Sequence, residues 1–355
     1  MKGTTMNKRA FSLALILASV SAVAMIAPQA FAQDMSKGAD NFYKSDQVDM
    51  QKVSFKNKLG MNVVGSLFLP KSLDRTKPAS AVIVGHPMGA VKEQSSNLYA
   101  QKLAEQGFVA LSFDLSFWGE SEGQPRHTVS PEIYADDFSA AVDFLSASPF
   151  VNKENIGVLG ICGSGSFALS AAQIEPRIKA IATVSMYDMG AAYRDGLKKG
   201  VTVEQRKVML KQAAEQRYTE FTGGEAKFIG GTVLELTADS SPIEREFYDF
   251  YRTSRGEVTP EGDSPLVTTK PALSTISAFA NFYPFAGIET ISPRPLLFIT
   301  GSEAHSIEFS QNAYKLASEP KELLVIPGAG HVDLYDRVNL IPFDKLTEFF
   351  RGNLS

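Results

Sequence analysis

The stretch Asn155-Ile156-Gly157-Val158-Leu159-Gly160-Ile161-Cys162-Gly163-Ser164-Gly165-Ser166-Phe167-Ala168 decides the reading of this chain. Five residues of a continuously apolar run end at Gly160, small residues crowd around Cys162, and a helix-compatible segment follows. A tight strand-to-helix turn that exposes a nucleophile needs small residues two before and two after it, because larger side chains would collide with the turn. Gly160 and Ser164 fill those places, with Gly165 behind. Such a turn lifts the thiol to the edge of a sheet at a helix N-terminus, where the helix dipole favours the thiolate. Cys162 is the expected nucleophile, with a thiol pKa below that of free cysteine. Ser164 is its rival, and a buried cysteine closing a core strand is the bland alternative.

Outward from that turn, short Val- and Ile-rich runs alternate with longer helix-periodic segments. The runs cover residues 81–85, 108–113, 156–160, 178–184, 296–301 and 322–326; the helical segments cover 98–106, 131–145, 167–174, 308–317 and 342–350. Ahead of them, two alternating runs at 52–55 and 63–68 flank Asn57-Lys58-Leu59-Gly60 and predict an antiparallel hairpin. Strands buried on both faces read as continuous apolar runs, and intervening helices supply right-handed crossovers. The fold class expected is therefore α/β, a doubly wound, mostly parallel sheet of about eight strands. The rhythm fails at 187–291, where charged helical segments, glycine pairs and a closing aromatic cluster (Phe279, Phe282, Tyr283, Phe285) replace it. That stretch reads as a helical cap inserted over the sheet, the alternative being a surface excursion with a few core aromatics.

The N-terminus carries its own signal. Lys2, Lys8 and Arg9 precede an apolar run at 11–26, and Ala30-Phe31-Ala32 forms an A-x-A cleavage site. This is the order of a secretory signal peptide, which leaves residues 33–355 as the mature domain and places it in the periplasm or outside the cell. A single membrane anchor is the competing reading. Cleavage removes three positive charges and no acids, so the formal charge moves from −4 to −7. An acidic chain without basic runs argues against nucleic acid as a partner, and a small-molecule substrate is expected instead. One cysteine excludes an internal disulfide. No metal-spaced His/Asp cluster and no G-x-G-x-x-G after a strand predict a metal or nucleotide cofactor.

His331, in Pro327-Gly328-Ala329-Gly330-His331-Val332-Asp333, follows the last strand run and returns to the same sheet edge as Cys162. It is the expected base, able to take the thiol proton and pass it to a leaving group. The orienting acid is less well marked. G-x-x-D spacing after the seventh run falls on Ala304, so Glu303 is the first candidate and Asp188 the second. An oxyanion hole needs two backbone N–H groups; Gly163 supplies one and Met88 the other, because Pro87 has none. His86 either faces substrate or, more in keeping with its loop, ties that loop down. His305, Phe282 and Tyr283 are expected to line the pocket.

Together these residues resemble the α/β-hydrolase superfamily, and more closely its dienelactone-hydrolase-like branch with cysteine at the turn. Asp114-Leu115-Ser116-Phe117-Trp118-Gly119-Glu120-Ser121-Glu122-Gly123 is similar to the segment after the fourth strand in such hydrolases, which implies structural roles for Asp114 and Ser121. The resemblance implies hydrolysis of an ester, thioester or lactone through an acyl-cysteine. Acyl transfer on the same site and a non-catalytic ligand-binding protein remain the alternatives, since one fold hosts many chemistries.

Overall fold

The computed structural model describes residues 33–355; the expected signal peptide lies outside the described residues. One eight-stranded sheet organises the chain, in the order β1-β2-β4-β3-β5-β6-β7-β8. The strands are β1 (Val48–Lys56), β2 (Asn62–Pro70), β3 (Ala79–Gly85), β4 (Val109–Phe113), β5 (Val151–Ile161), β6 (Ile178–Val184), β7 (Leu296–Gly301) and β8 (Lys321–Ile326). β1 and β2 form the expected antiparallel hairpin, β2 meets β4 antiparallel, and every later pairing is parallel.

Alternation along each strand builds two cores from one sheet. In β3, Ala81 and Ile83 face one side while Val82 and Val84 face the other, and all four are fully buried. The first face is covered by α2 (Pro131–Ser146), α3 (Gly163–Ile174) and α8 (Ile307–Leu316). The second is covered by α1 (Ser96–Glu105) and α10 (Phe343–Asn353), which bring Leu98, Tyr99, Leu103, Leu346 and Phe350. With both faces covered, the parallel strands have no solvated side, which is why their sequences lack polar alternation.

Between β6 and β7 the chain leaves the sheet through α4 (Met189–Arg194), α5 (Val203–Phe221), α6 (Pro242–Tyr251) and α7 (Ser277–Ala280). Two of these helices start on reciprocal capping boxes, Thr202 with Gln205 and Ser241 with Glu244, and Pro242 takes the first position of α6. α6 directs Glu246, Phe247, Phe250 and Tyr251 inward toward the loop of His331 and the short α9 (Asp333–Asp336) that follows it. No helix among the described residues is long and apolar enough to cross a membrane.

Candidate active site

Cys162 stands between β5 and α3 with φ 53° and ψ −120°. A non-glycine residue there carries strain of about 1–3 kcal/mol and persists only when its surroundings impose it. Here the Cys162 N–H donates to Val184 O at 2.9 Å, and the Cys162 carbonyl accepts from Gly165 and Tyr187, each at 3.0 Å. The glycines are required by contact: a Cβ on Gly160 would lie 2.3 Å from Ser164 O, and one on Gly165 2.6 Å from Met186. Ser164 is fully buried and donates its hydroxyl to His86 O, so its oxygen is engaged away from the cavity.

The Cys162 sulfur forms part of the wall of a cavity of about 280 Å³. The backbone N–H groups of Met88 and Gly163 both reach this sulfur, and a Cβ on Gly163 would meet Met88 Cβ at 2.5 Å. The two donors proposed from sequence therefore sit side by side. Their loop is braced from below. His86 is buried with Nδ1 2.7 Å from Pro87 O, while Nε2 accepts from the Leu115 N–H at 3.0 Å. Burial holds its pKa down to about 4, so the ring is a neutral strut and does not face the cavity. Asp114, also buried, accepts from the backbone N–H groups of Lys92 and Glu120 and pairs with Lys92 Nζ at 3.0 Å. Ser121 donates to Asp114 O.

His331 is fully buried, but its partners differ from expectation. Nδ1 lies 2.6 Å from Ser306 Oγ, and Nε2 lies 3.0 Å from the hydroxyl of Tyr335, a side chain that shares the cavity wall with Cys162. Burial, and then the adjacent His305, hold the imidazole well below its usual pKa. Burial likewise pushes the Cys162 thiol up to about 11, against the smaller favourable pull of Tyr335, Gly163 and Met88. This corrects the expected thiolate: a neutral imidazole offers no charge to hold one, and desolvation outweighs three hydrogen bonds.

Both acid candidates are corrected as well. Glu303 is exposed, and its carboxylate accepts from Ser302 Oγ at 3.3 Å. Its backbone N–H is fixed to Ala329 O at 2.9 Å, which turns the side chain outward. Asp188 caps α4, accepting from the Ala191 N–H at 2.8 Å. The third residue at the imidazole is Ser306, just ahead of α8.

His305 stacks on His331 with ring centroids 4.7 Å apart and has Nδ1 3.2 Å from Glu246 Oε2. It packs behind the base and does not line the cavity. Glu246 Oε1 accepts from the Val332 N–H at 2.7 Å, so α6 grips the loop that carries His331. Phe282 and Tyr283 are likewise absent from the cavity wall. Phe282 packs on Phe167 of α3, and Tyr283 is 57% exposed with the Arg194 guanidinium 3.8 Å over its ring. The aromatic cluster thus buttresses α3 and α4. The cavity is instead walled by Tyr187, Met189 and Tyr193 from one side and Phe247, Tyr251 and Thr269 from the other. Sequence reasoning missed Tyr335, Tyr251, Ser306 and Glu246. A signal for Tyr335 was present, since it stands four residues after His331 at the spacing of one helical turn.

A sequence model of the Dienelactone hydrolase family matches residues 64–199. The chain is similar to an uncharacterised protein of Pseudomonas aeruginosa, 45% identical over 313 residues, covering 88% of this chain and 83% of that one. The crystal structure of that hypothetical protein superposes with a TM-score of 0.83, over 91% of this chain and 98% of the other. A polyketide transferase of Penicillium crustosum is 24% identical, covering 80% of this chain and 92% of its own. A thiohydrolase of Aspergillus aculeatus is 32% identical over 140 residues, 39% of this chain and 42% of its own.

Proposed function

From the match of residues 64–199 to the Dienelactone hydrolase family, we propose that the chain is a member of that family and that it cleaves an uncharged ester, thioester or lactone through an acyl-cysteine on Cys162. The observation that carries this reading is the strained Cys162 turn, with two backbone N–H groups converging on its sulfur at an apolar cavity. The cavity wall among the described residues has no Lys, Arg, Asp or Glu, so a charged acyl group would lose its hydration without a partner.

In the first half-reaction the thiol proton moves to His331 Nε2 as sulfur attacks the acyl carbonyl carbon. The oxyanion forms where the Met88 and Gly163 N–H groups point, and donors fixed in advance stabilise it without reorganisation. Collapse breaks the bond to the leaving oxygen or sulfur, which takes the proton from His331. Water then attacks the acyl-cysteine by the reverse sequence. Because the resting pair is neutral thiol and neutral imidazole, the proton leaves during attack and no standing thiolate is needed.

Acyl transfer to an alcohol or amine uses the same site, and the similarity to a polyketide transferase over most of both chains favours keeping it as the second reading. The deciding experiment gives purified protein short-chain nitrophenyl esters, thioesters and lactones, with and without added alcohols, and measures intact mass during turnover. An acyl adduct on Cys162 that Cys162→Ala abolishes supports the reading; full activity in that variant refutes it. Export rests on residues 1–32 alone: mature protein is proposed to begin at Gln33, which the same mass measurement checks.

A further inference from the structure

We propose that the Tyr335 hydroxyl is a catalytic residue, carrying the proton between Cys162 and His331. The proposal rests on Cys162 as nucleophile and deepens that reading. Its ground is the placement of one oxygen: 3.0 Å from His331 Nε2, on a side chain that lines the same cavity as Cys162 and Tyr251 and acts on the acidity of both. Among the described residues, Tyr335 is the hydrogen-bond partner of Nε2, so the imidazole meets the thiol through this hydroxyl.

The valences agree on one direction. A tyrosine hydroxyl has one hydrogen to donate and two lone pairs that accept. For His331 to act as base its proton must rest on Nδ1, donating to Ser306 Oγ, which leaves the Nε2 lone pair open. Tyr335 then donates to Nε2. Its two acceptor positions are left for the Cys162 S–H and the Tyr251 O–H, and every hydrogen in the set has one place to go.

The hydroxyl is also held still. The Tyr335 ring is fully buried, edge-on to Phe250 at 5.4 Å and to His331 at 5.3 Å. Its carbonyl accepts from Ser95 Oγ at 2.9 Å, and its N–H donates to Val332 O at 3.0 Å. Burial places the phenol pKa far above its usual value, so a discrete tyrosinate is not an intermediate. The two transfers are coupled: the S–H bond breaks and its proton goes to the Tyr335 oxygen as the Tyr335 O–H proton passes to Nε2. The products are a thiolate, an imidazolium and an unchanged tyrosine. The thiolate electron pair forms the bond to the acyl carbon, and the leaving group recovers the proton along the same path.

The test is a proton inventory on kcat/KM for p-nitrophenyl butyrate in mixtures of light and heavy water. The resting S–H is itself depleted in deuterium, so its ground-state contribution is divided out of the plot. What remains is bowed for two protons in flight in the wild-type enzyme and straight for one. Tyr335→Phe keeps the ring and should lower kcat/KM by roughly 10²- to 10⁴-fold, the worth of a positioned proton carrier, with the residual rate giving a straight plot. A straight wild-type plot overturns the relay even if the variant does not fold. A folded Tyr335→Phe whose kcat/KM is within about threefold of wild type, or above it, also overturns it. Mass spectrometry of the acyl adduct separates the two readings: an adduct on Cys162 without the bowed plot rejects the relay alone, and no adduct rejects the nucleophile.

Discussion

Ser306 Oγ lies 2.6 Å from Nδ1 of His331, at the station where a carboxylate was expected. A hydroxyl there can accept the Nδ1 hydrogen and fix the tautomer, but it cannot neutralise an imidazolium. A cysteine–histidine pair tolerates this better than a serine–histidine pair, because a thiol gives up its proton more readily than an alcohol.

Ser306→Ala should therefore cost one neutral hydrogen bond, about 0.5–1.5 kcal/mol, or a roughly two- to tenfold fall in kcat. That is far short of the roughly 10⁴-fold loss when a triad carboxylate is neutralised. Glu303→Gln should be silent. Ser306→Asp sets a carboxylate against Nδ1, which favours the imidazolium and moves the acid limb of kcat/KM to higher pH. Steady-state kinetics on the three variants decide the matter; a large loss in Glu303→Gln would restore the acid to that residue.

The same burial fixes the pH dependence. His331 is held well below its usual pKa and Cys162 is pushed up to about 11, so neither group titrates between about pH 6.5 and 9. A flat kcat/KM profile is expected across that window. Alkylation of the resting enzyme by iodoacetamide should climb about tenfold per pH unit from pH 8 to 10, since the thiolate is the reacting form. The raised thiol pKa also makes the folded state lose stability as pH rises from about 9 to 11, an effect Cys162→Ala removes. A labelling rate already level by pH 8 would mean a depressed thiol and a different resting state.

The sheet was legible because its signal is periodic and local. The run at 81–85 became β3 (Ala79–Gly85), and the run at 156–160 became the inner half of β5 (Val151–Ile161), whose polar first half carries no apolar signal. The turn at Cys162 was legible because sterics there admit few residue types. The other partners of His331 were not, because each depends on where a loop backbone turns. Glu303 stands nearest the expected spacing, yet one hydrogen bond from its N–H to Ala329 O faces it outward, while Ser306 comes inward at the start of α8. Phe282 and Tyr283 look like a pocket wall in sequence, but Arg194 reaches both and fixes them against α4.

Chain-length preference should follow the walls that the structure gives. Ala192 faces the cavity, so Ala192→Phe fills space there and should shorten the longest acyl chain accepted. Phe282→Ala removes packing on Phe167 by a half-buried side chain and should cost about 1–3 kcal/mol of stability with the substrate profile unchanged. Rates on C2 to C10 nitrophenyl esters, read beside melting temperatures, separate the two effects. A profile shifted by Phe282→Ala and not by Ala192→Phe would put the acyl chain elsewhere.

Arg255 is where the segment after α6 holds the reacting groups in place. Its guanidinium takes Asp336 through two nitrogens at 2.9 and 2.7 Å, Asp249 at 2.7 Å, and Val332 O at 3.4 Å. Asp336 is fully buried and adjoins Tyr335, while Val332 adjoins His331, so one side chain fixes the backbone on both sides of the site. Removing one partner of a buried pair strands the other charge, a loss of about 3–5 kcal/mol. Arg255→Met should thus lower the melting temperature by several degrees, and activity at a temperature where it remains folded should fall further than for a surface change. Adding Asp336→Asn relieves the stranded charge and should recover much of the stability without recovering kcat, because the two-nitrogen grip on α9 is still missing. Melting curves and kcat for the single and double variants test both halves. Full recovery of kcat in the double variant would show that the pair serves stability alone, with Tyr335 and His331 held by the rest of the fold.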